Sequence, residues 1–165
     1  MSRANIFVIA AAALVGVAAW SWWAGGFPEE RQIRRRIAEF AEEFNNESGH
    51  GLAAMARAAR LGQFFTDDVI VELGKGSPPI VGRETLMGMA ARLQPRTAAF
   101  ILTFEDVTVE TLEEVRAAIG LTAVLRRRHV ASGEESLDAR EFTVELARGE
   151  GDWQIRRVVA VDTLR

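Results

Sequence analysis

The alternation of apolar and polar residues that marks most folded chains is missing from the start of this one. Ile6 to Trp23 reads IFVIAAAALVGVAAWSWW, eighteen residues without a charge and with Ser21 as the one polar side chain. As a helix it would rise about 27 Å, close to the ~30 Å of a bilayer core. Trp20, Trp22 and Trp23 stand at its C-terminal end, where aromatic side chains favour the headgroup level, and Gly25-Gly26 lets the chain leave the helix. The pattern predicts an N-terminal tail over 1–5, a transmembrane anchor over 6–23, a linker over 24–28 and a folded domain over 29–165. A cleaved signal peptide is the rival reading, with Arg3 as its basic start, but a cut after Val17-Ala18-Ala19 would leave the bulky Trp20 beside the scissile bond. Arg3 and the amino terminus favour a cytoplasmic N-terminus, so the domain is expected on the exported, periplasmic side of a bacterial-type inner membrane. Arg31, Arg34, Arg35 and Arg36 count in the other direction.

After the anchor the apolar positions take up helical spacing. Pro28-Glu29-Glu30 is a helix start, with Pro in the first turn and two carboxylates at the positive end of the dipole. Ile33, Ile37, Phe40 and Phe44 then recur every three or four residues, one stripe of about four turns. Asn45-Asn46 and Ser48-Gly49-His50-Gly51 interrupt it. Leu52, Met55, Ala56 and Ala59 resume the spacing up to Gly62, and Leu86, Met87, Met89, Ala90 and Leu93 make a third helix between Gly82 and Pro95.

The remainder reads as strands. Val69 to Leu73 is short and β-branched, and Gly74 to Pro79 can only be a loop. Phe100, Leu102 and Phe104 alternate with Ile101 and Thr103, and Val107 and Val109 continue the run. Residues 111–118 have helix propensity in isolation, but a turn near Glu113-Glu114 followed by a long strand through Leu121, Ala123 and Leu125 fits their surroundings better. A hairpin loop at Ala131 to Glu135 leads to a strand with Phe142, Val144 and Leu146 on one face, and Trp153, Ile155, Val158, Val159 and Val161 form the last. Helices first and then antiparallel strands predict an α+β domain with its helices on one face of a curved sheet.

Composition narrows the functional classes. The 165 residues carry 20 basic and 23 acidic side chains, a net charge of −3, 48% hydrophobic residues, two His and no Cys. One charged residue, Arg3, lies in the first 28, so the rest of the chain is at −4. These figures exclude a strongly basic nucleic-acid binder, a disulfide scaffold and a thiolate metal site. Arg126, Arg127, Arg128, Arg156 and Arg157 sit near Glu134, Glu135, Glu141 and Glu145, as cross-strand charge ladders do, so no nucleic acid is expected. His50 and His129 lack metal-ligand spacing, and neither a metal nor a cofactor is expected.

Three motifs carry a resemblance. Phe64-Phe65-Thr66-Asp67-Asp68-Val69-Ile70-Val71-Glu72, Gly82-Arg83-Glu84-Thr85-Leu86 and Gly151-Asp152-Trp153-Gln154-Ile155, in this order, resemble the nuclear transport factor 2-like, or SnoaL-like, superfamily over residues 29 to 165. The resemblance implies a cystatin-like α+β roll, a cone-shaped sheet around about three helices with an apolar pocket between them, and frequent dimerisation through the outer sheet face. The superfamily holds ketosteroid isomerase-like enzymes, polyketide cyclases, dehydratases and non-enzymatic binding or accessory domains, so fold does not decide function. In the isomerase-like members the general base is an Asp at the place of Leu73, and a Tyr stabilises the oxyanion. This chain has no Tyr. Glu72, on the opposite side of the strand, could replace the base only if a bulge re-aimed it.

Two other polar residues share strand parity with Phe142, Val144 and Leu146. Asp138 and Arg140 would extend toward a pocket mouth, either as a site for a polar ligand group or acid/base chemistry, or as a structural ion pair. Phe40, Phe44 and Met55 from the helices and Leu73, Phe100, Phe104, Phe142 and Trp153 from the strands are the expected pocket lining. The leading expectation is a membrane-tethered, non-catalytic domain that binds a small apolar ligand or a protein partner, a second copy included. The alternatives are an isomerase, cyclase or dehydratase using Asp138 and Arg140, and an accessory subunit of a membrane complex whose helix packs through Ala12 and Gly16.

Overall fold

The structure, a computed structural model, describes residues 28–46, 52–92, 98–129, 131–149 and 151–161. The expected anchor over 6–23 and His50 lie outside these residues. No helix among the described residues is long and apolar enough to cross a membrane. The chain divides into two compact units, Met1–Ile33 and Arg34–Arg165. Of the first, only residues 28–33 are described, where they begin a helix.

That helix, α1, spans Pro28–Asn45 with Glu29 and Glu30 in its first turn. The exposed side carries the Arg35–Glu39 pair at 2.8 Å, the i,i+4 contact that weakly supports an isolated helix. Two further helices, α2 (Leu52–Gly62) and α3 (Arg83–Arg92), follow the expected breaks at the Ser48–Gly51 segment and at Gly82. Gly82 takes a φ of 87°, a left-handed turn that a residue with a Cβ adopts at a cost.

Six strands, β1 (Phe65–Glu72), β2 (Ile80–Val81), β3 (Ala98–Leu112), β4 (Arg116–His129), β5 (Glu135–Arg148) and β6 (Trp153–Ala160), form one curved sheet in the order β2-β1-β6-β5-β4-β3. β1 runs parallel to β6 and antiparallel to β2, and the other pairs are antiparallel. The expected α+β class with three helices and a curved sheet is therefore observed. The turn foreseen at Glu113-Glu114 is present, closed by the Glu113 N–H on the Arg116 carbonyl at 2.8 Å.

Two elements depart from the expectation. β1 starts at Phe65, because Phe65 pairs with Ile155 and the register then shifts before Ile70 pairs with Arg157. Asp67 and Asp68, which disfavour strands, occupy this irregular stretch with exposed side chains. Arg83 pairs with Asp67 and Arg156 reaches Asp68 at 3.7 Å. The two-residue β2 is too short to leave a periodic signal.

Alternation, interrupted by register shifts after Glu105, Val109 and Glu145, sorts the long strands into two faces. Ala117, Ile119 and Leu121 of β4, and Val144 and Leu146 of β5, are buried on the inner face, against which the helices pack. Val69 and Val71 of β1 and Trp153 and Ile155 of β6 complete this core with Ile37 of α1. Each Val, Leu or Ile side chain so withdrawn from water stabilises the fold by roughly 1.5–3 kcal/mol.

Candidate functional site

The inner face changes character along its strands. At one end it is closed by rings: Phe40 of α1 meets Phe64 and Phe65 edge to face at 5.4 and 5.5 Å and stacks with Phe104 at 6.1 Å. Arg36 closes the same end from above, its guanidinium 4.0 Å from the Phe64 ring centre and its N–H groups donating to the Trp153 and Gln63 carbonyls, each at 3.1 Å. The half-buried rings of Phe44 and Phe104 both meet that of Phe40. Trp153 is 2% exposed and belongs to the core, not to a pocket wall. Its indole N–H is buried without an acceptor.

Toward the other end, the register lays out the inner-facing positions in cross-strand rows. Phe104, Ala123 and Arg140 share one, Leu102, Leu125 and Asp138 the next, and Phe100, Arg127 and Ser136 the last. Phe100, Leu102, Ala123, Leu125 and Phe142 are half-buried, while Asp138, Arg140 and Arg127 are exposed. Arg140 Nη1 donates to the Leu73 carbonyl at 3.0 Å, past the end of β6, which lies between their strands. Leu73 itself is 41% exposed. Phe100, Phe142, Asp138 and Arg140 thus share this end of the inner face, its mouth, and Leu73 is tied to it through Arg140.

Met55 and Glu72 fall elsewhere. Met55, expected in the lining, is 68% exposed on α2, because the stripe of that helix turns Leu61 and not Met55 into the core. Glu72 faces away from the inner side and holds Arg157 at 2.7 and 3.1 Å, with Glu145 a further 4.0 Å from the same guanidinium. That carboxylate keeps the Arg157 pKa raised. The irregularity in β1 lies upstream, between Phe65 and Ile70, so it does not re-aim Glu72. The Asp68 carboxyl is held below its usual range, first by the Thr66 hydroxyl and then by its own N–H and Arg156.

Two residues that shape this mouth were not singled out in the sequence. Asn45, the last residue of α1, bonds Leu102 twice, its amide donating to the carbonyl at 2.8 Å and its oxygen accepting from the N–H at 2.7 Å. Nothing local distinguishes it from a helix-ending Asn. Arg127 shares the parity of Leu121, Ala123 and Leu125, a signal hidden by its charged neighbours Arg126 and Arg128. An open groove of about 330 Å³ between α2 and α3, lined by Ala58, Ala59, Gly62, Gln63, Arg83, Glu84 and Met87, uses none of the expected pocket residues. Among the described residues no three His, Asp or Glu side chains gather as a metal site.

A family model for the SnoaL-like domain matches residues 48–159. The chain belongs to the SnoaL-like family. No curated protein matches the sequence. Among solved structures, this SnoaL-like domain is similar to a candidate scytalone dehydratase from Novosphingobium aromaticivorans, with a TM-score of 0.66 at 14% identity over 82% of this chain and 85% of that one. A ketosteroid isomerase-like protein from Erwinia carotovora atroseptica gives 0.60 at 20% identity over 84% and 100% of the two chains. ActVI-ORFA from Streptomyces coelicolor gives 0.66 at 10% identity over 84% and 100%. At these identities the likeness concerns the fold.

Proposed function

We propose that this SnoaL-like domain is a non-catalytic binding module that takes a small, largely apolar ligand at the mouth of its inner sheet face. The observation that carries the reading is the composition of that mouth: half-buried Phe100, Leu102, Leu125 and Phe142 on one face, with Leu73 tied to it through Arg140. Leucine at that position cannot move a proton. Concave apolar surface with a few convergent polar groups is the usual make-up of a ligand site. The uncharged stretch 6–23 supports a membrane tether for the domain, which would keep it close to membrane-soluble ligands.

The full chain, purified in a mild detergent, is the material for the test. Native mass spectrometry and thermal shift against apolar metabolites should reveal a bound species, and at a hundredfold excess over Kd the gain in stability is about 2.7 kcal/mol. Turnover of a substrate with no stable complex would overturn the reading. One observation favours an enzyme instead: Asp138 lies on the inner face, and two similar structures are named for a dehydratase and a ketosteroid isomerase. On that second reading Asp138→Asn abolishes turnover while the fold is retained.

A further inference from the structure

The polar groups at the mouth are unequal in number. Arg127 and Arg140 stand on the inner face with one carboxylate, Asp138, between them. Asp138 is diagonal to Arg127 across β4 and β5, and two residues before Arg140 on the same strand. Among the described residues none of the three takes part in an ion pair, and the hydrogen bond of Arg140 goes to an uncharged carbonyl, that of Leu73. In a chain of net charge −3, the end of an apolar face therefore carries one excess positive charge.

We propose that the ligand of this site is an amphipathic monoanion, an apolar body bearing a single carboxylate. The inference rests on the binding reading above and specifies its ligand class. The apolar body would lie on Phe100, Leu102, Leu125 and Phe142. Its anionic group would meet Arg140 and Arg127, because a guanidinium presents paired N–H donors matched to a carboxylate. The Leu73 carbonyl occupies one terminal nitrogen of Arg140 and fixes the side chain in place, which leaves its remaining donors oriented before the ligand arrives. Asp138 opposes a second negative charge and so restricts the class to monoanions.

The test compares 2-naphthoate with the isosteric, neutral 2-naphthamide on the full chain in detergent, by isothermal titration. The acid is expected to bind about tenfold more tightly than the amide, the gain of one charge-assisted hydrogen bond. Arg140→Gln and Arg127→Gln should each reduce that ratio, and Asp138→Asn should raise the affinity for naphthoate. Equal binding of acid and amide by the unaltered chain overturns this inference and leaves the binding reading standing. Tighter binding of the amide, or a loss of naphthoate affinity in Asp138→Asn, also overturns it. No binding of either probe, or of any apolar metabolite, removes both.

Discussion

Arg36 illustrates how much one side chain can join. It sits on the exposed flank of the α1 stripe, where a helix-face contact with a Glu is the ordinary expectation, and it does approach Glu39 at 3.6 Å. Its side chain is 17% exposed, however, and it also covers Phe64 and donates to backbone carbonyls of the α2–β1 turn and of β6. Arg36→Ala is expected to destabilise the domain by about 2–3 kcal/mol through lost packing, a lost cation–π contact and two lost hydrogen bonds to carbonyls. Arg36→Lys should recover less than half of this, since a point charge cannot serve two carbonyls and a ring face together. Denaturant midpoints of the two variants check the order. None of this was legible in the sequence, because the partners are 27 and 117 residues away.

At the scale of elements, alternation made the long strands legible from their inner faces: Phe100, Leu102 and Phe104 on β3 and Phe142, Val144 and Leu146 on β5 lie where the pattern places them. The ends of the strands were less legible. Pairing with β6 extends β1 back to Phe65 and carries Asp67 and Asp68 into the strand against the propensity of Asp, so tertiary contact outweighs that preference. The mouth was half legible for the same reason. Parity places Asp138 and Arg140, but only the register with β4 sets Arg127 beside them. β3 is an edge strand, and the Asn45 amide imitates a neighbouring strand by satisfying both backbone groups of Leu102. Asn45→Ala should cost about 1–3 kcal/mol and raise the tendency to associate, since it leaves an unpaired edge. Asn45→Asp should be no better, because its carboxylate faces the Leu102 carbonyl. Sedimentation alongside thermal unfolding separates the two effects.

For the whole molecule, the average composition conceals a division. A nearly charge-free N-terminal stretch and a SnoaL-like domain of ordinary polarity together give the modest hydrophobic fraction and charge, and the absence of Tyr bears on function more than either average. The helices, the curved sheet and the family were legible because they depend on periodicity and on three local motifs. The ligand class was not, because it depends on which charges remain unmatched once strands distant in sequence lie side by side.

The parallel pairing of β1 with β6 also has a temporal side. β6 lies between β1 and β5 in the sheet, so the strand made last is the one that joins the first hairpin to the other three strands. During synthesis β1 and β2 must wait, with an apolar side uncovered, until Trp153 to Ala160 emerge, and such non-local closure is slow. Termination at Asp152 should therefore yield no cooperatively folded product, whereas a nascent chain extended past Val161 by a linker should become protease-resistant abruptly. Pulse proteolysis of stalled chains of graded length would show that step. A chain that must hold itself open until β6 emerges depends on whatever shields its first hairpin meanwhile.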